Sequence, residues 1–115
     1  MSCLLHVILL NLSGIPVVTV SQVQYSGNYG QTVTLVCSVQ ANPTETSVYW
    51  RKLVNGQLTN IDMSNARYSG ATVASPSMTI TGLALTDEGF YQCFAQNSVG
   101  TGNSQQTFLD VVGSK

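Results

Sequence analysis

Over residues 31–40 the chain alternates in character. Val33, Leu35, Cys37 and Val39 fall on one side, and Thr32, Thr34 and Ser38 on the other. Successive side chains of an extended strand point to opposite faces, so this stretch reads as a half-buried β-strand whose cysteine points inward. A second cysteine, Cys93, closes the run Phe90-Tyr91-Gln92-Cys93, and Tyr91, two residues earlier, shares its face. On a strand between them Val48 and Trp50 share a side. Two stacked sheets lie about 10 Å apart and need that gap filled. Two inward cysteines with a large aromatic beside them can both span it and fill it.

The remaining text fits the same architecture: short extended segments punctuated by turn residues. Residues 18–25 read as an opening strand, split in two and ending at the turn Ser26-Gly27-Asn28. Ala41-Asn42-Pro43-Thr44 reads as a loop, since Pro43 has no N–H to give a ladder. Asn55-Gly56 is a hairpin signal, because both central positions of the tightest hairpin turn require φ > 0. Residues 58–63 would return from it. Arg67 and Tyr68 begin a short strand ending near Gly70, and residues 77–81 make another with Met78 and Ile80 inward and Leu83 completing the apolar set. Residues 90–96 and 105–112 form the last two strands, joined by the glycine-rich hairpin Val99-Gly100-Thr101-Gly102-Asn103. The expected fold class is all-β: a two-layer antiparallel sandwich with Greek-key connections.

The chain has 115 residues, one domain's worth. Only 8% of them are charged and the net charge is -1, so no basic stripe is available to neutralise phosphates and no nucleic acid partner is expected. Polarity comes from Ser, Thr, Asn and Gln instead. The first dozen residues, MSCLLHVILLNL, are almost wholly apolar. That run is shorter than the roughly 20 residues a membrane span takes, and it suits the apolar region of a secretory signal peptide. The expected organisation is a signal peptide over 1–21 with an uncertain boundary, the folded domain over 18–112, and a tail or linker start over 113–115. No second apolar stretch follows, so no membrane span is expected in this chain. Cys3 would leave with the leader, and Cys37 and Cys93 then remain in an oxidising compartment.

The segment Asp87-Glu88-Gly89-Phe90-Tyr91-Gln92-Cys93 resembles the Asp-x-Gly-x-Tyr-x-Cys signature of the immunoglobulin superfamily, and Cys37, Trp50 and Leu83 stand in the matching order upstream. The resemblance runs over residues 18–112. It implies a disulfide between Cys37 and Cys93, a core around Trp50, Leu83 and Tyr91, and a Tyr91 hydroxyl returning to backbone upstream. Asp87 is expected to pair with Arg67 across the bottom of the sandwich. Cys93-Phe94-Ala95-Gln96-Asn97-Ser98-Val99-Gly100 resembles the Cys-x-Ala-x-Asn-x-x-Gly of intermediate-set domains, which populate adhesion molecules, receptor ectodomains and muscle giants. The last strand lacks the Phe-Gly-x-Gly-Thr of antibody J segments. Residues 55–67 leave room for an extra edge strand, so a variable-like arrangement stays open.

No residue set for catalysis can be assembled. The one histidine, His6, lies in the leader, which removes zinc sites of ordinary ligands and any Ser-His-Asp or Cys-His arrangement. The acids Glu45, Asp62, Asp87, Glu88 and Asp110 offer no converging carboxylates or calcium loop. No cofactor is expected. The sole N-glycosylation sequon, Asn11-Leu12-Ser13, also lies in the leader, and Asn42-Pro43-Thr44 fails on its proline.

What remains is binding. If Tyr91 and Cys93 face in, Gln92 and Phe94 face out; if Trp50 faces in, Tyr49 and Arg51 face out; Phe108 points out from the last strand. Exposed aromatics beside an arginine have the composition of interaction hot spots. The rival surface is the loop end, where Asn42, Thr44, Asn97, Thr101 and Asn103 offer adaptable hydrogen bonding. The resemblance implies a secreted or cell-surface module binding a protein, heterophilic or homophilic, in adhesion or innate immune recognition, with a weak homodimer among the options. The alternative is a spacer in a chain of several such domains.

Overall fold

The computed structural model describes residues 13–113. Cys3, His6 and Asn11, and with them the apolar leader, lie outside the described residues, as do Ser114 and Lys115. The elements are β1 (Val17–Val20), β2 (Gln24–Asn28), β3 (Val33–Leu35), β4 (Cys37–Gln40), β5 (Ser47–Val54), β6 (Gln57–Asn60), β7 (Tyr68–Gly70) and β8 (Met78–Ile80). A 3-10 turn, Leu85–Asp87, precedes β9 (Gly89–Gln96), β10 (Thr101–Asn103) and β11 (Thr107–Val112).

These strands make the two layers of an immunoglobulin-like sandwich. In one, β1 pairs with β4 while β3 pairs with β8 and β8 with β7. The other runs β2-β11-β9-β5-β6, with β10 also pairing β9. All pairings are antiparallel except that of β2 with β11. The Cys37–Cys93 disulfide joins β4 to β9 across the gap. It closes a loop spanning 56 residues, which on a chain-entropy model stabilises by about 4 kcal/mol. Around it lie Leu35, Trp50, Met78, Ile80, Leu83, Tyr91 and Leu109, all essentially without solvent contact. The indole N–H of Trp50 donates to the carbonyl of Pro76 at 2.8 Å, so the largest core ring leaves no buried donor unpaired.

Local differences from the sequence reading each have a physical cause. The alternating run over 31–40 divides at Val36, because β3 pairs with β8 and β4 with β1. At the break the Val36 N–H donates to the Tyr25 hydroxyl and its carbonyl accepts from Ser21 N–H. Ser26-Gly27-Asn28 is strand rather than turn: it belongs to β2, alongside β11. A Cβ on Gly27 would stand 2.4 Å from Leu83 Cδ1, so the glycine serves close approach to the core. The return from the Asn55-Gly56 hairpin, where both residues have positive φ (51° and 81°), is a strand only to Asn60. Ile61 adds one bond to Trp50, and the chain then turns at Asp62. At the far end Thr101–Asn103 is strand, the turn lies ahead of it, and β11 starts at Thr107 rather than residue 105.

The folded region also begins earlier than residue 18. Gly14 N–H donates to the Asn42 carbonyl, Pro16 is buried, and β1 starts at Val17. A cut at Ser21 would remove β1 from its partner β4.

Candidate protein-binding face

The outward face of the larger sheet is set by strand parity and register. Trp50 and Tyr91 point into the core, so Tyr49, Arg51 and Leu53 of β5 and Phe90, Gln92 and Phe94 of β9 point away from it. Tyr49 sits opposite Phe94 and Arg51 opposite Gln92. One step beyond the last registered pair, Leu53 falls beside Phe90. Leu53 is paired with Leu58 of β6, and Phe90 with Phe108 of β11.

Two clusters result. In the first, the Tyr49 and Phe94 rings stack with centroids 5.3 Å apart and planes 2° from parallel. The Arg51 guanidinium lies over both, 4.9 Å from the Phe94 centroid and 5.3 Å from that of Tyr49. Its Nε donates to Asn60 Oδ1 at 2.8 Å. Arg51 is thus fixed by ring contact and one hydrogen bond, and its terminal nitrogens make no hydrogen bond or ion pair among the described residues. The second cluster is a row across the strands: Leu58, Leu53, Phe90 and Phe108. Phe90 and Phe108 meet in a tilted pair, centroids 4.9 Å apart. Phe90 keeps 44% of its surface exposed and Leu58 36%.

This geometry corrects the sequence expectation at two positions. Phe94 and Gln92 do point outward, but both are buried, at 8% and 7% exposure. The Tyr49 ring and the Arg51 cover take up Phe94, while Gln92 donates from Nε2 to the Ser104 carbonyl at 2.6 Å. Tyr49, Arg51 and Phe108 remain partly exposed. The residues not singled out from sequence are Phe90, Leu53 and Leu58. Parity with Phe94 and Arg51 carries the signal for the first two, and the Asn55-Gly56 hairpin register carries it for the third.

At the loop end the residues come together, but Asn97 is structural. It is buried, its Nδ2 donates to the carbonyls of Gly14 and Pro43, and its Oδ1 accepts from Val99 and Gly100 N–H. The expectation of Asn97 as a contact residue is therefore corrected: its donors and acceptor are consumed internally. Thr44, Thr101 and Asn103 are exposed, and the Asn42 carbonyl accepts from Gly14.

The opposite end of the sandwich carries the charge network. Arg67 Nη2 donates to Asp87 Oδ2, and the same oxygen accepts from Ala84 N–H at 2.8 Å. Asp87 beside it raises the Arg67 pKa above its ordinary value. The Tyr91 hydroxyl donates to the Asp87 carbonyl, and burial, with the Asp87 charge second, pushes its pKa far above the usual phenol range. Lys52 reaches the Thr86 carbonyl and lies over the Tyr91 ring; burial lowers its pKa, with Asp87 opposing. These contacts tie the 3-10 turn to β5, to β9 and to the residue ahead of β7. Among the described residues no set of three or more His, Cys, Asp or Glu gathers to hold a metal, and no helix is long and apolar enough to cross a membrane.

The family model described as "Immunoglobulin domain" matches residues 15–97. The chain belongs to the immunoglobulin-domain family. It is 36% identical over 99 residues to the Drosophila melanogaster tyrosine-protein phosphatase Lar, covering 86% of this chain but 4% of that protein. It is also 53% identical over 38 residues to human hemicentin-1, covering 33% of this chain and 1% of that protein. Among solved structures, the tandem Ig repeats of Dlar align with a TM-score of 0.72 at 36% identity over 89% of this chain and 50% of that one. A structure concerned with Dscam isoform specificity aligns at 0.72 and 26% identity, over 87% of this chain and 25% of that one. The immunoglobulin domain described here therefore spans only a small part of these curated relatives, and the likeness to Lar lies in its Ig region.

Proposed function

We propose that this immunoglobulin domain is an extracellular recognition module that binds a protein partner through the outer face of its larger sheet. The supporting observation is the row Leu58-Leu53-Phe90-Phe108, in which a phenylalanine at mid-sheet keeps 44% of its surface exposed beside a pre-positioned arginine. An apolar centre with aromatic and arginine neighbours is the composition from which interface energy is drawn. The likeness to the tandem Ig repeats of Dlar and to hemicentin-1, together with the Cys37–Cys93 disulfide, supports an oxidising, extracellular setting. On this reading the apolar leader directs export and ends ahead of Gly14, where the fold begins.

The test is a tetramerised secreted domain applied to intact cells. Binding that is abolished by surface proteolysis and by Phe90→Ser supports the reading. Wild-type tetramers that bind nothing, or Phe90→Ser tetramers that bind as wild type does, overturn it. The alternative of a spacer is favoured by one observation: the match occupies 4% and 1% of the two relatives, as one unit of a long chain would.

A further inference from the structure

Two charges on the outer face have no opposite charge paired with them among the described residues, and their placement around Phe90 is what a second copy would complement. Arg51, on β5, stands one side-chain step above the apolar row, its fork held but unpaired. Asp110, on β11, stands one step below the row, two residues past Phe108 on the outward side. Beside it is Glu88, whose Oε1 accepts from Val111 N–H at 3.0 Å and whose carboxyl is hydrogen-bonded to Asp110. That hydrogen bond first, and mutual repulsion after it, raise the Asp110 pKa, and no cation relieves the pair among the described residues. Phe90, on β9 between those two strands and in the row between those two levels, marks the middle of the Arg51–Asp110 diagonal.

We infer that the partner of this face is a second copy of the chain, packed sheet to sheet about a two-fold axis through Phe90. An axis lying in the interface perpendicular to the diagonal sets Arg51 of each copy over the Asp110–Glu88 pair of the other. The two Phe90 rings meet at the centre, flanked by Leu53 and Phe108. An isologous contact requires a patch that complements itself under a two-fold rotation, and a positive and a negative end disposed symmetrically about an apolar centre meet that requirement. The surface is small. Five strands about 4.8 Å apart span only about 19 Å between the outermost two, so the dimer is weak and transient. This inference rests on the proposed use of the face and adds the identity of what covers it.

The experiment is sedimentation equilibrium of the full secreted chain at concentrations from roughly 10 to 500 μM, the range suited to a weak pair. The wild type is expected to show a monomer–dimer equilibrium. Arg51→Glu and Asp110→Arg are each expected to weaken it by about tenfold or more. An equimolar mixture of the two variants restores dimers, because the introduced glutamate then faces the introduced arginine while the native Arg51 faces the native Asp110–Glu88 pair. Circular dichroism of each variant checks that it is folded. A chain that stays monomeric throughout overturns the inference, as does a dimer that neither variant weakens or that mixing does not restore. If the chain is monomeric while Phe90→Ser still abolishes protease-sensitive cell binding, the recognition face stands and only the second copy falls.

Discussion

Gly102 lies against the backbone of Pro16, so closely that a Cβ placed on it would stand 1.9 Å from the Pro16 carbonyl oxygen. The obstacle is main chain that leads directly into β1, and it cannot swing aside as a side-chain tip would. Gly102→Ala is therefore expected to cost about 2–3 kcal/mol, in the range of an overpacked core. Gly14→Ala, where nothing lies within 4 Å, should fall within about 0.5 kcal/mol of wild type. Urea unfolding of both variants, compared at equal m-value, checks the pair.

Asn97 ties three parts of the chain with one amide: Gly14 before β1, Pro43 in the loop before β5, and the turn at Val99 and Gly100. Asn97→Ala leaves those carbonyls and N–H groups without their partner, at an expected cost of about 2–4 kcal/mol. Hydrogen exchange should show faster exchange at Gly100 N–H. If exchange there is unchanged, the amide does not hold the turn.

The parts of the fold legible in the sequence were those set by local chemistry. Period-two alternation placed Leu35, Cys37, Trp50, Met78 and Ile80 inward, where all five are buried. Asn55-Gly56 marked its own turn through its two positive φ angles. What was not legible depends on which strand lies next to which. The break at Val36 follows from a change of pairing partner, and Gly27 looks like a turn residue until Leu83 is seen against it. Parity along β9 gives the outward direction of Phe94 but not its burial, which comes from the β5–β9 register that stacks Tyr49 on it and brings Arg51 across. The same parity exposes Phe90, whose significance appears only when the register lines it up with Phe108.

Tyr91 gives the fold an alkaline limit. Its pKa is raised chiefly by burial and secondly by Asp87. Below about pH 10 the phenol is protonated in both folded and unfolded chains. Above it the unfolded chain loses that proton while the folded chain keeps it, so the folded state binds more protons and stability falls as pH rises, by at most about 1.4 kcal/mol per unit. Tyr91→Phe removes the bond to the Asp87 carbonyl and should cost about 1–2 kcal/mol at pH 7. It also removes the alkaline fall. The ring under Lys52 survives, so the opposite contribution of the lowered Lys52 pKa, which adds stability as pH rises toward its ordinary value, is common to both proteins and cancels in the difference. Denaturant unfolding from pH 7 to 11 should show the gap narrowing above pH 10; a constant gap would refute the assignment.

Phe94 and Phe90 separate stability from surface chemistry on one strand. Strand parity alone puts Phe94 on the outward face, where replacement by serine would cost little. The structure reverses this: the ring is 8% exposed, stacked on Tyr49 and covered by Arg51. Removing it strips the platform from both neighbours, and the expected cost is about 2–3 kcal/mol, below that of a fully enclosed phenylalanine because only one layer covers it. Phe90 has 44% of its surface in solvent and one tilted neighbour, Phe108. Phe90→Ser should therefore cost about 1 kcal/mol or less, with the core untouched. Thermal melts read the difference directly, since 1 kcal/mol moves the midpoint by about 4–8 °C in a domain of this size. Phe94→Ser should melt well below wild type and Phe90→Ser within a few degrees of it. Equal shifts would mean that the Tyr49–Phe94–Arg51 stack contributes no more than an open surface contact does.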